Sequence, residues 1–132
     1  MKRFLFLPLF CLLAIPLNAQ NIRCTVTVST ATTIQAVGGD CVAVPGFSIY
    51  VTDIMGSSSA AASTGADTML TLKYGTGGTC GTGTTVFWLA QHPVTSSTVQ
   101  SFRTPIKIPA GNEICWINST AGTKSWVITG YI

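Results

Sequence analysis

Asn21-Ile22-Arg23-Cys24-Thr25-Val26-Thr27-Val28-Ser29 is the stretch on which the fold turns. Ile22, Cys24, Val26 and Val28 alternate with Arg23, Thr25, Thr27 and Ser29. A strict period of two puts one set inward and the other toward solvent only in an extended strand. The β-branched valines and threonines favour the same state.

Working outward toward the C-terminus, the same reading predicts further strands over 41–44, 47–54, 68–74, 84–91, 102–108, 113–118 and 124–132. Turn chemistry separates them: Gly38-Gly39-Asp40, Pro45-Gly46, the glycine- and threonine-rich run 75–83, Pro109-Ala110-Gly111-Asn112 and Ala121-Gly122. The segment 57–64 holds three alanines, but its serines and the glycines beside it favour a loop over a helical turn. About eight short strands at this spacing indicate an all-β fold, a two-sheet antiparallel sandwich of jelly-roll or immunoglobulin-like type, with a small barrel as the closed alternative.

Upstream of the strand the chain changes character. Met1-Lys2-Arg3 is a short basic start, residues 4–17 are an apolar run broken by Pro8 and Pro16, and Ala19 is a small residue at a cleavage position before Gln20. This is the layout of a signal peptide. The run falls short of the roughly 20 residues that span a bilayer, so no stable membrane insertion is expected after cleavage. Residues 1–19 are read as a signal peptide or N-terminal hydrophobic segment, and 20–132 as one β-sandwich domain, exported to the periplasm or the extracellular space or carried on a virion surface.

Charge and cysteine usage agree with that division. The chain carries a net charge of +3. Lys2 and Arg3 lie in the leader, and beyond it Arg23, Lys73, Arg103, Lys107 and Lys124 nearly balance Asp40, Asp53, Asp67 and Glu113. No Lys/Arg stripe tracks a phosphate backbone, so nucleic acid is not an expected partner. Setting aside Cys11, the domain holds Cys24, Cys41, Cys80 and Cys115, an even number in a short exported chain, which predicts two disulfides. Their spacing lacks the paired C-x-x-C of structural zinc. Cys24 with Cys41 closes a local loop, and Cys80 with Cys115 ties the glycine-rich loop to a late strand. These pairings are preferred, with the other connectivities left open.

The residues that could carry chemistry argue against an enzyme. The 75–83 run has no G-x-G-x-x-G spacing, no following lysine and no helix to present a dipole, so it reads as a tight strand connection rather than a phosphate loop. His92 is the sole histidine. It has no G-x-S-x-G elbow or reduced cysteine to activate. Paired carboxylates for glycoside hydrolysis would have to come from Asp40, Asp53, Asp67 and Glu113, three of which sit where turns favour them anyway. No catalytic, cofactor or metal residues are assigned.

Trp88, Trp116 and Trp126, with Tyr50, Tyr74 and Tyr131, form a candidate stacking platform for a glycan. The tryptophans, however, lie inside apolar strand runs, where core or subunit packing is the better reading. Residues 86–90 are apolar on both faces, which predicts a strand that is central or covered by another subunit. Phe87 and Leu89 are therefore the candidate interface residues.

The run Tyr74-Gly75-Thr76-Gly77-Gly78-Thr79-Cys80-Gly81-Thr82-Gly83-Thr84, followed by Pro109-Ala110-Gly111-Asn112-Glu113-Ile114-Cys115, resembles a family of small virion-associated proteins of tailed bacteriophages and marine metagenomes. In that family a Y-G-T-G-x-x-C-G-T-G-T loop and a later P-A-G-N-x-x-C element recur. The resemblance covers 47–132, about two thirds of the chain. It implies a capsid decoration, cement or fibre domain and carries over no enzymatic residues. The leader and the Cys24 to Cys41 region depart from it, which fits a cellular, secreted relative. Two expectations follow: a self-associating structural subunit of a particle or filament, or a secreted monomeric module that binds a glycan or cell-surface protein.

Overall fold

The computed structural model describes residues 20–28, 35–58, 68–92, 96–118 and 124–132. Residues 1–19, expected as a signal peptide, Asp67 with the 59–67 segment, and the expected turn at Ala121-Gly122 lie outside them. The described chain forms β1 (Asn21–Val28), β2 (Gln35–Ala36), a single 3-10 turn (Gly39–Cys41), β3 (Ile49–Ser58), β4 (Thr68–Thr76), β5 (Thr82–His92), β6 (Ser97–Ile108), β7 (Glu113–Asn118) and β8 (Lys124–Tyr131).

These strands build two four-stranded sheets, ordered β1-β8-β3-β6 and β2-β7-β4-β5. Every pairing is antiparallel. The pairs β1·β8, β2·β7, β3·β6 and β4·β5 each join strands whose numbers add to nine, as in one long hairpin with β4 and β5 at its tip. Rolling that hairpin up deals its pairs alternately to the two sheets and adds the contacts β8·β3 and β7·β4. This is the jelly-roll order, and it settles the choice against the immunoglobulin-like and barrel alternatives.

The opening strand behaves as its alternation predicts: Ile22 and Cys24 are buried and Arg23 and Thr25 are exposed. One apolar cluster fills the space between the sheets, with Val51, Ile54, Trp126 and Ile128 from the first meeting Leu70, Leu72, Ile114 and Trp116 from the second. Each such side chain contributes roughly 1.5–3 kcal/mol on burial.

Three expectations change. Residues 41–44 are not a strand, because Cys41 ends the 3-10 turn and is drawn inward by its disulfide; the second strand is instead the two-residue β2. Strand β6 begins at Ser97 rather than 102. Among the described residues, 86–90 do not form a central strand, because β5 stands at the edge of its sheet with β4 as its one strand neighbour.

Candidate functional surface

The all-apolar run in β5 has a local cause. Leu72 pairs with Trp88 and Lys73 with Val86, which leaves Phe87 as an extra residue on β5. Such a bulge lets consecutive residues share a face. Phe87 and Trp88 both pack against the core. Phe87 meets Tyr74 at 6.2 Å between ring centroids, and Trp88 meets Trp126 edge-on at 5.8 Å. Val86 and Leu89 point outward, each more than half exposed at 53% and 54%. Of the two predicted interface residues, Leu89 is therefore on the surface and Phe87 supports the core. Met69, on the neighbouring β4, is exposed beside them.

The four sheet edges differ in how they are protected. The β1 edge is strapped by the 3-10 turn: Asp40 Oδ2 accepts the Arg23 backbone N–H at 3.2 Å, and Cys24 is disulfide-bonded to Cys41. Strand β6 carries Arg103, Pro105 and Lys107, residues that discourage further pairing. Strand β2 is two residues long. Strand β5 runs for eleven residues without one Lys, Arg, Asp, Glu or Pro.

The glycine-rich loop between β4 and β5 folds over the outer face of β7. Cys80 is bonded to Cys115, with 6.2 Å between their α-carbons. Glu113, buried at the start of β7, accepts the Cys80 N–H at 3.2 Å through Oε1. Disulfide and carboxylate together hold Cys80 in the left-handed region at φ 52°, unusual for a residue other than glycine. Both disulfides join the residues preferred from sequence, and their α-carbons, 5.8 and 6.2 Å apart, fall within the usual span. Cys80, Glu113 and Cys115 place potential ligand atoms within 4.8 Å of one another. The two sulfurs are bonded to each other, however, so no thiolate donor is presented.

Across the molecule, the outer face of the β1-β8-β3-β6 sheet carries a shallow groove of about 210 Å³ lined by Met55, Ser57, Ser97, Val99, Ser125 and Val127. Asp53 lies one row along, cross-strand from Ser101 and Thr129. The Ser101 and Thr52 side chains, with a hydrogen bond from Thr129 Oγ1 at 3.2 Å, favour the charged form over desolvation and hold its carboxyl below the usual range, while the Thr52 hydroxyl itself donates to the Thr129 carbonyl. Tyr50 and Tyr131 stack at 5.0 Å on this sheet, and Trp116 and Trp126 are buried. These two tryptophans therefore offer no ring to a surface platform, and Trp88 is half-buried against Trp126.

Sequence reasoning missed the Asp53 cluster and the bulge at Phe87. Both leave a trace: Val51 and Ile54 are inward residues three apart, and Phe87-Trp88 are adjacent inward aromatics, each a break in the period of two. The candidate carboxylates are dispersed, with Asp40 on the 3-10 turn, Asp53 on one sheet and Glu113 on the other. Asp67 and the His92 side chain lie outside the described residues.

No protein family, curated protein or solved structure matches the chain. Disulfides persist in oxidising compartments, and no helix among the described residues is long and apolar enough to cross a membrane.

Proposed function

We propose that the chain is a non-enzymatic structural subunit that works in many copies, as a β-domain of a virion surface, in a capsid decoration, cement or fibre role, or of an extracellular filament. The observation that carries this reading is the outward face of β5, where Val86 and Leu89 stand exposed on a long strand without a charged residue. A free monomer with that surface is prone to aggregate. A neighbouring subunit covers it in an assembly. The jelly-roll order supports the same role, since this architecture recurs in particle-forming proteins. The resemblance of the 74–84 and 109–115 motifs to phage virion proteins points the same way, and the disulfides fit export with cleavage before Gln20.

A second reading, a secreted monomeric module for a glycan or surface protein, is favoured by the groove around Met55, Val99 and Val127 with its serine-lined wall. Light scattering on the oxidised 20–132 domain separates the two. The structural reading expects the mean mass to rise with concentration toward a defined multiple of the monomer. A constant monomer mass into the high micromolar range overturns it in favour of the binding module.

A further inference from the structure

We infer that the exported chain carries a pyroglutamate at its amino end: the α-amine of Gln20, freed by cleavage of the Ala19–Gln20 bond, closes on its own side-chain amide. The inference rests on the export reading with cleavage before Gln20 and adds a chemical modification to that end.

Sequence and structure both favour the closure. Gln20 directly follows the small residue Ala19 at the expected cleavage position. A glutamine places its amide carbon where the α-amine closes an unstrained five-membered lactam, whereas the same attack from Asn21 would close a strained four-membered ring. Gln20 is exposed and precedes β1, which begins at Asn21, so the reacting end stands outside the strand. Its carbonyl accepts the Ile132 backbone N–H at 3.0 Å. That carbonyl is not a member of the lactam ring, so closure leaves the hydrogen bond to Ile132 in place.

The step needs no second reactant. The neutral α-amine attacks Cδ, the Nα–Cδ bond forms, the Cδ–Nε2 bond breaks, and Nε2 leaves as ammonia with one proton from the amine. An ordinary α-amino pKa of about 7.7–8.0 leaves a reactive neutral fraction near neutral pH. Closure removes a cation from a domain that has few: beyond residue 19, Arg23, Lys73, Arg103, Lys107 and Lys124 stand against Asp40, Asp53, Asp67 and Glu113. It also blocks the free end of β1 to aminopeptidases, which require an α-amine. That strand lies at a sheet edge and supplies Ile22 and Cys24 to the core.

Intact mass of the oxidised chain, produced from residue 1 and exported, tests the closure. The expected mass is that of residues 20–132 less two hydrogens for each of the two disulfides and less one ammonia. Stepwise amino-terminal degradation should release nothing from this protein. Gln20→Ala has no amide to attack, so it should keep its full mass apart from the disulfide hydrogens and degrade normally into Asn21 and Ile22. A chain that begins at Gln20 and still retains the ammonia after incubation above the α-amino pKa overturns the pyroglutamate and leaves the export reading standing. A mass that includes any of residues 1–19, or that begins at Asn21, overturns cleavage before Gln20 and the modification with it.

Discussion

The indole of Trp126 fills the space that a side chain at position 56 would need: the two residues are register partners across β3 and β8, and a β-carbon on Gly56 would fall among the ring atoms Cε3, Cζ3 and Cη2. Trp126 is the largest fully buried side chain, so it has nowhere to move. Gly56→Ala is expected to cost about 1–3 kcal/mol as overpacking, read as a lower urea midpoint at unchanged slope. Gly130→Ala should cost more, because there the added carbon meets the Tyr50 carbonyl, which is backbone and cannot rotate away.

The two disulfides should separate by loop length. Cys24–Cys41 spans 17 residues and Cys80–Cys115 spans 35. On chain-entropy grounds their removal as paired Cys→Ser variants costs about 3 and 4 kcal/mol respectively. Non-reducing peptide mapping checks the pairing, and denaturant titration the order. Free thiols at Cys80 and Cys115 in the oxidised protein would contradict the arrangement.

Glu113 acts as an acceptor for the loop. Glu113→Ala leaves the buried Cys80 N–H without its partner and should cost about 1–3 kcal/mol. Glu113→Gln keeps a carbonyl oxygen in place and should cost clearly less. Equal losses in the two variants, measured by thermal unfolding, would show that the hydrogen bond is not what holds the loop.

How much of this was legible beforehand depends on the range of the interactions. The Ile22 to Val28 alternation, the spacing of the strand-like runs and the even cysteine count are local signals, and they indicate the sandwich class and two disulfides, with Cys24–Cys41 and Cys80–Cys115 preferred among open connectivities. The choice of jelly roll over immunoglobulin-like order was not legible, because it is set by pairings such as Asn21 with Tyr131 that link the chain ends. Strand β2 was invisible: two residues, Gln35 and Ala36, carry no period. Cys41 to Val44 looked extended, but the disulfide and the turn before it override strand propensity there. Glu113 follows Gly-Asn at the start of the 113–118 strand, a position turns favour, and its burial depends on the 77–81 loop lying over β7, a contact no local pattern shows.

Asp53 gives the fold an acid-sensitive element. The polar side chains of Ser101, Thr52 and Thr129 around it stabilise the ionised carboxylate and lower its pKa from the ordinary 3.8. A group whose pKa is depressed on folding adds stability above its unfolded value and loses it as pH falls through the folded value. The melting temperature of the wild type should therefore decline as pH drops below about 4. Asp53→Asn should be less stable than wild type at neutral pH, and the difference should shrink over the same acidic window. A gap between the two that stays constant from pH 6 to pH 2 would remove Asp53 from the account.

Phe87 and Leu89 lie two residues apart on β5 and should respond in opposite ways. Phe87 packs on the core beside Tyr74, so Phe87→Ala should cost about 3 kcal/mol, toward the low end for a buried aromatic because the site is only partly enclosed. Leu89 is 54% exposed and faces away from the core. Leu89→Lys should leave the unfolding midpoint of the isolated domain within about 0.5 kcal/mol of wild type. The same change puts a charge on the apolar outer face of β5, where a neighbouring copy would have to desolvate it, and so it should dissolve the proposed assembly. Denaturant titration and light scattering on both variants give the readout: stability falls with Phe87 and association falls with Leu89. A Leu89→Lys protein that assembles as readily as wild type would mean that the exposed face of β5 is not where subunits meet.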